Sequence, residues 1–207
     1  MAIEKCKKNV PVLLENKMDY ANDTETYIAS SDRISSFGDL SHLMAGTVDF
    51  SAASKLQNII LGSHEEGYEN VNLSSLTLGN NRLLNYLNVE NCTKLKDSID
   101  ASQCFNLETV DAIGSNLTSI TLPEGGHLKN LNLPETIIDI TIKNQHMIDN
   151  FNIKKVYNAD TEKNEYANLT TIVIDDVPNL PIEDLLLNSP KLNCVRIVNT
   201  SWNVSSE

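Results

Sequence analysis

The sequence predicts a mainly β chain: a solenoid of about seven short coils, each 20–28 residues long, that share one narrow aliphatic core. Three observations carry that expectation. An apolar triplet of the form LxxLxL recurs at regular spacing, one long segment matches another without gaps, and a second triplet series runs about half a period out of phase.

The main series comprises Leu56, Ile59, Leu61; Leu84, Leu87, Val89; Leu107, Val110, Ala112; Leu128, Leu131, Leu133; Ile148, Phe151, Ile153; Leu169, Ile172, Ile174; and Leu192, Val195, Ile197. Successive starts differ by 28, 23, 21, 20, 21 and 23 residues. Chance alone would scatter roughly five such triplets through a chain of this composition, so the regular spacing carries the inference rather than the count. The gap-free match is TVDFSAASKLQNI, from Thr47 to Ile59, against SIDASQCFNLETV, from Ser98 to Val110. Its offset of 51 equals the first two repeat steps, 28 plus 23.

The second series is Leu73, Leu76, Leu78; Leu117, Ile120, Leu122; and Ile137, Ile140, Ile142. It gives each coil two extended sides. Near Leu95 it fails, because Ser98 and Asp100 take the inward positions unless Ile99 turns in, and after Ile142 it disappears. The segment NLPIEDLLLNSP then predicts one short helix near the C-terminus, with Pro181 in the first turn, Glu183 and Asp184 complementing the helix dipole, and Pro190 ending it. Alternate strand residues face opposite sides, so each LxL pair points inward. No single coil can bury its own apolar edge, but stacking does so, each buried Leu or Ile contributing roughly 1.5–3 kcal/mol.

Residues 1–46 do not repeat and read as an N-terminal cap; 47–200 form the solenoid, and 201–207 are a short tail. That tail is too brief for a full cap. Either Trp202 folds back over the last coil, or another chain or domain makes an end-to-end or oligomeric contact there. Two stretches exceed what a coil needs, Gly62 to Asn70 and Lys154 to Asn168, and read as solvated loops or as binding insertions.

The run LNYLNVENCTKL, from Leu84 to Leu95, followed by NLTSITL, from Asn116 to Leu122, resembles bacterial leucine-rich repeats of the short, cysteine-containing kind over about Thr47 to Ile197. More narrowly, GDLSHLMAGTVDFSAASKLQNIILG and NLSSLTLGNNRLLNYLNVENC are similar to repeat segments in tail and other virion proteins of phages that infect gut bacteria. The resemblance implies a leucine-rich-repeat-like solenoid in a virion, in the cytoplasm of a bacterial host, or at a bacterial surface. The chain departs from the family three residues after each LxL, where Asn or Cys is favoured. Here that position holds His64, Cys92, Ser115, Thr136, Val156, Val177 and Thr200, which puts regular horseshoe curvature in doubt.

A net charge of −12 with no massed Lys and Arg argues against a nucleic-acid partner. No stretch approaches the roughly 18 apolar residues of a membrane span. The four cysteines, Cys6, Cys92, Cys104 and Cys194, lack CxxC or CxxH spacing and read as small buried hydrophobes, with a Cys92–Cys104 disulfide left open. His42, His64, His127 and His146 show no ligand spacing, so neither a metal nor a cofactor is expected. Asn-x-Ser/Thr spacing at Asn22, Asn72, Asn91, Asn116, Asn168, Asn199 and Asn203 is read as repetition of the coil motif. No catalytic constellation emerges, and the chain is expected not to be an enzyme.

The outward residues flanking each LxL core form two columns, one running Asn58, Tyr86, Thr109, Asn130, Asn150, Thr171, Cys194 and the other Ile60, Asn88, Asp111, Asn132, Asn152, Val173, Arg196. Of these, Tyr86, Asn88, Asp111, Asn130, Asn132, Asn150, Asn152 and Arg196 are the candidate binding residues, with Tyr86 as the aromatic anchor. Equally, rows of Asn and Thr can bond to one another along the stack. The expected function is a non-enzymatic scaffold for a protein or glycan partner. The alternative is a small acidic inhibitor that binds a basic host protein through charged loops, which salt would weaken.

Overall fold

A computed structural model describes residues 26–28, 36–37, 46–63, 72–96 and 98–200. In chain order its strands are β1 (Thr26–Ile28), β2 (Ser36–Phe37), β3 (Gly46–Asp49), β4 (Asn58–Ile60), β5 (Leu73–Thr77), β6 (Tyr86–Asn88), β7 (Ser98–Asp100) and β8 (Thr109–Asp111). Then follow β9 (Ser119–Thr121), β10 (Asn130–Leu133), β11 (Asp139–Lys143), β12 (Asn150–Ile153), β13 (Val156–Asn158), β14 (Lys163–Glu165), β15 (Thr171–Asp175), helix α1 (Ile182–Leu187) and β16 (Cys194–Val198). Among the described residues the chain is mainly β with one short helix, and most strands lie in parallel stacks.

The main sheet has the order β12-β10-β8-β6-β4-β2. Opposite it stand β1-β3-β5 and β16-β15-β11-β9-β7. From β3 to β12 the chain alternates strictly between the two sides, which the half-period offset of the two triplet series anticipates. One continuous apolar cluster fills the space between them, from Val48 and Phe50 through Leu87, Val110 and Leu131 to Ile174 and Leu185.

The spacing within LxxLxL has a local cause. Buried residues two apart lie on a strand, and buried residues three apart bracket a corner turn closed by a backbone bond. Thus Ala53 N donates to Phe50 O at 2.9 Å and Leu56 N to Ala53 O at 3.2 Å; Cys104 N donates to Ala101 O and Leu107 N to Cys104 O in the same way. The gap-free match follows, since Val48, Phe50, Ala53, Leu56 and Ile59 and their counterparts Ile99, Ala101, Cys104, Leu107 and Val110 are all buried. Ile99 turns inward and Ser98 and Asp100 face solvent, so the second series continues through β7, one of the two options the sequence left open.

Buried corner positions hold larger side chains, at Asn81, Gln145 and Val177, as well as small ones. Ala53, Cys92, Cys104 and Ser115 occupy such positions, and Cys92 and Cys104 are free, buried thiols with no disulfide between them. Burial, with smaller contributions from nearby Glu90 and Asp100 respectively, pushes both thiols up to about 12. At the residue before Cys92, Asn91 adopts φ 53° and its amide donates to Ser63 O at 2.9 Å. Its counterpart is Gly114, φ 76°, where an added Cβ would lie 2.0 Å from Asn91 Oδ1. Amides of Asn116, Asn168 and Gln145 likewise bond backbone carbonyls of Thr93, Glu135 and Pro123 on neighbouring segments. Side-chain amides therefore do bond the backbone between segments: Gln145, and Asn81 to Phe50 O, from the position three residues after an LxL pair of the second series, and Asn91, Asn116 and Asn168 from other positions.

Two expectations are corrected. The triplets at Leu169 and Leu192 do not extend the main sheet: β15 pairs in parallel with β11 (Ile140 with Ile172) and β16 with β15 (Ile172 with Val195). The second side therefore continues past Ile142, and the main sheet ends at β12. The cause lies in the Lys154–Asn168 stretch, which is no plain loop but carries the antiparallel hairpin β13–β14. Regular half-steps are about ten residues, as from Thr109 in β8 to Ser119 in β9, whereas Asn150 in β12 to Thr171 in β15 is 21 residues. Half a period plus the hairpin mimics one whole period.

Helix α1 takes the place of a strand between β15 and β16, with Ile182 and Leu185 buried in the core. The hairpin is fastened to it. Lys155 Nζ lies 2.7 Å from Asp184 Oδ1 and 4.8 Å from the centre of the Tyr166 ring, and the Tyr166 hydroxyl donates to Asp184 Oδ2. Of residues 1–46, only β1, β2 and Gly46 at the start of β3 are described, and β1 and β2 extend both sides by pairing with β3 and β4. The tail 201–207 and most of the Gly62–Asn70 stretch, including His64, lie outside the described residues.

Two predictions follow from this packing. Leu87→Ala, at a fully buried position of β6, should cost about 2–5 kcal/mol in urea unfolding; a loss below about 1 kcal/mol would place Leu87 outside the core. Burial pushes the Asp184 carboxyl up, but Lys155, Tyr166 and Asn188 outweigh it and hold it below the usual range. Glu165 is also lowered, chiefly by hydrogen bonds from Thr161 and Asn158. Folded values below the unfolded ones give stability that is present above the ordinary carboxylate range and lost as pH falls through the depressed values. The urea midpoint should therefore drop between about pH 7 and about pH 3, and Asp184→Asn should lower the neutral midpoint and shrink that drop. An unchanged drop in the variant would refute the assignment.

Candidate binding face

The outer face of the main sheet is built by register. Parallel pairing sets Asn58 beside Tyr86, Tyr86 beside Thr109, Thr109 beside Asn130 and Asn130 beside Asn150. Two residues on, Ile60, Asn88, Asp111, Asn132 and Asn152 align in the same way. Each strand has one inward residue between these outward ones, Ile59, Leu87, Val110, Leu131 or Phe151. Tyr86, Asn88, Asp111, Asn130, Asn132, Asn150 and Asn152 are thus brought onto one surface. Arg196 is not: its strand, β16, belongs to the opposite side, beside Val173 of β15.

The polar side chains bond along the stack. The Tyr86 hydroxyl donates to Asp111 Oδ2 at 3.1 Å, Asn132 donates to Asp111 Oδ1, and Asn150 donates to Asn132 Oδ1 at 3.4 Å. One chain of bonds therefore crosses β6, β8, β10 and β12. In the neighbouring column Asn130 donates to Thr109 Oγ1 at 3.1 Å. Asn88 donates to Glu90 Oε2 at 3.0 Å and more weakly to the Tyr86 oxygen at 3.3 Å, which leaves it only 7% exposed despite its outward position.

Charge on the face is sparse and paired. Asp111 accepts at both carboxylate oxygens, and Glu108 bridges Lys129 at 2.9 Å on adjacent segments. Both partners of that bridge are over a third exposed, so it contributes at most about 1 kcal/mol. The Tyr86 phenol is raised above its ordinary value, first by burial and then by the Asp111 and Glu90 carboxylates, against the opposing Asn88 amide. Glu90, Glu108 and Lys129 were not among the sequence candidates because they lie just outside the strands. The signal available was that Glu108 and Lys129 stand at equivalent repeat positions, one residue before Thr109 and Asn130.

Beside the face, Gln57, Leu83, Asn85, Asn106, Glu108 and His127 line a shallow polar groove at the corner preceding β4, β6, β8 and β10. Among the described residues no group of three or more His, Cys, Asp and Glu side chains could hold a metal ion, and no helix is long and apolar enough to cross a membrane. His146 instead pairs with Asp176 at 2.8 Å on the opposite side. No protein-family model matches the chain, and neither a curated protein nor a solved structure matches it.

If Asp111 holds the Tyr86 phenol as described, Asp111→Asn removes a nearby negative charge. Tyrosinate absorbance should then place Tyr86 at a lower pH than in the unsubstituted protein. A shift upward, or none, would show that the carboxylate does not act on the ring.

Proposed function

We propose that this chain is a non-enzymatic, leucine-rich-repeat-like solenoid that displays the outer face of β4, β6, β8, β10 and β12 to a protein or glycan partner. The observation that carries the reading is the hydrogen-bond chain from Tyr86 through Asp111 and Asn132 to Asn150. It fixes polar side chains on a sheet whose strands are themselves fixed by a shared core. A ligand meeting such a surface pays little to order it, which favours shape and hydrogen-bond matching over charge. Strict alternation of strands between two parallel stacks supports the solenoid reading. On the resemblance read in the repeat sequences alone, we further propose a place in a virion or bacterial surface assembly, as a structural or receptor-facing part.

A glycan array and a panel of surface proteins, probed with the unsubstituted chain, Tyr86→Ala and Asn150→Ala, test this reading. A ligand held equally at low and moderate salt, and weakened about tenfold or more by Tyr86→Ala, is the expected outcome. Binding that collapses with salt and ignores Tyr86 would instead support an acidic inhibitor acting through its charged loops.

A further inference from the structure

The outer edge of β16 is the end of its sheet: β15 pairs with it on one side over all five residues, and no described strand pairs with it on the other. Cys194 N donates to Thr170 O at 3.1 Å, and Val198 O accepts from Asp176 N at 3.0 Å. Those bonds turn the backbone groups of Cys194, Arg196 and Val198 toward β15. Because backbone direction alternates along a strand, the N–H and C=O of Val195 and Ile197 point to the open edge.

The side chains at this edge are unusual for a protein surface. Val195 and Ile197 sit in register with Ile172 and Ile174, which are buried, yet Val195 is 46% exposed and Leu187 on the adjacent helix is 75% exposed. On the other face of β16, Arg196 is exposed and makes no ion pair among the described residues. Sheet edges are commonly protected by Pro, by bulges or by several charges. Here Arg196 is the single charge of the strand, and it contains no proline.

We propose that the edge of β16 that faces away from β15 and pairs with no described strand is a strand-addition site for an extended segment of another protein with the pattern aliphatic–acidic–aliphatic. The two aliphatic side chains would continue the inner face over Val195 and Ile197, and the carboxylate between them would stand beside Arg196 on the outer face. Main-chain bonds to Val195 and Ile197 supply affinity, and the side-chain pattern supplies choice of partner. A second copy of this chain fits less well. An antiparallel two-fold pairing centred on β16 sets Arg196 against its own copy. The site lies away from the main-sheet face and does not depend on its role.

Calorimetric titration of the full chain with two short capped peptides tests the proposal, one alternating valine and glutamate and the other valine and lysine. The glutamate peptide should bind about five- to tenfold more tightly, and Arg196→Glu should invert that order. Val195→Pro removes an N–H that faces the open edge and leaves the β15 ladder intact, so it should abolish binding of either peptide. Equal or absent binding of the two peptides, an order that Arg196→Glu leaves unchanged, or full binding by the Val195→Pro variant overturns the proposal. So does binding that arises only when residues 201–207 are removed, which assigns the edge to the chain's own tail, or peptide-independent self-association, which assigns it to a second copy.

Discussion

A three-residue strand turns one side chain inward between two outward-facing ones, which is far too little to hold it in place. That constraint governs the rest of this molecule. β4, β6 and β8 become stable only because Ile59, Leu87 and Val110 lie in register across parallel neighbours and meet the aliphatic residues of the opposite side in a single cluster. Every other feature is arranged around that column. Corners are closed by backbone bonds between buried residues three apart, and from β5 to β12 the chain crosses from one side to the other in about ten residues.

The outer face inherits its order from the inner one. Once Leu87 and Val110 are in register, Tyr86 and Asp111 are on neighbouring strands in adjacent columns, and Asp111 bonds Tyr86 on one side and Asn132 on the other. The amides at Asn91, Asn116 and Asn168 add bonds to backbone carbonyls of neighbouring segments. Four asparagines with sequon spacing, these three and Asn199, use their amides within the fold, which gives the recurring NLT and NCT motifs a structural role.

Much of the fold could be read directly from the residues. The positions named as inward by the main series from Leu56 to Leu133 are buried, and the seven candidate residues from Tyr86 to Asn152 share a face. Arg196 was misplaced for a specific reason: the hairpin β13–β14 lengthens one half-step to the size of a full period, so spacing could not distinguish the two sides. The hairpin itself left little trace, because VYN and KNE are largely exposed and carry no regular apolar alternation. Its attachment through Lys155, Tyr166 and Asp184 joins residues up to 29 positions apart on different elements, a contact that no local pattern encodes.

Periodicity settled which residues face inward along a repeat, because burial of aliphatic side chains is a local, additive demand that every turn of chain must meet. It did not settle which side each turn occupies, where one side gives way to a helix, or which polar groups pair across the face. Those depend on register between segments distant in sequence and on the space left by neighbouring side chains. Only the packed tertiary structure fixes both.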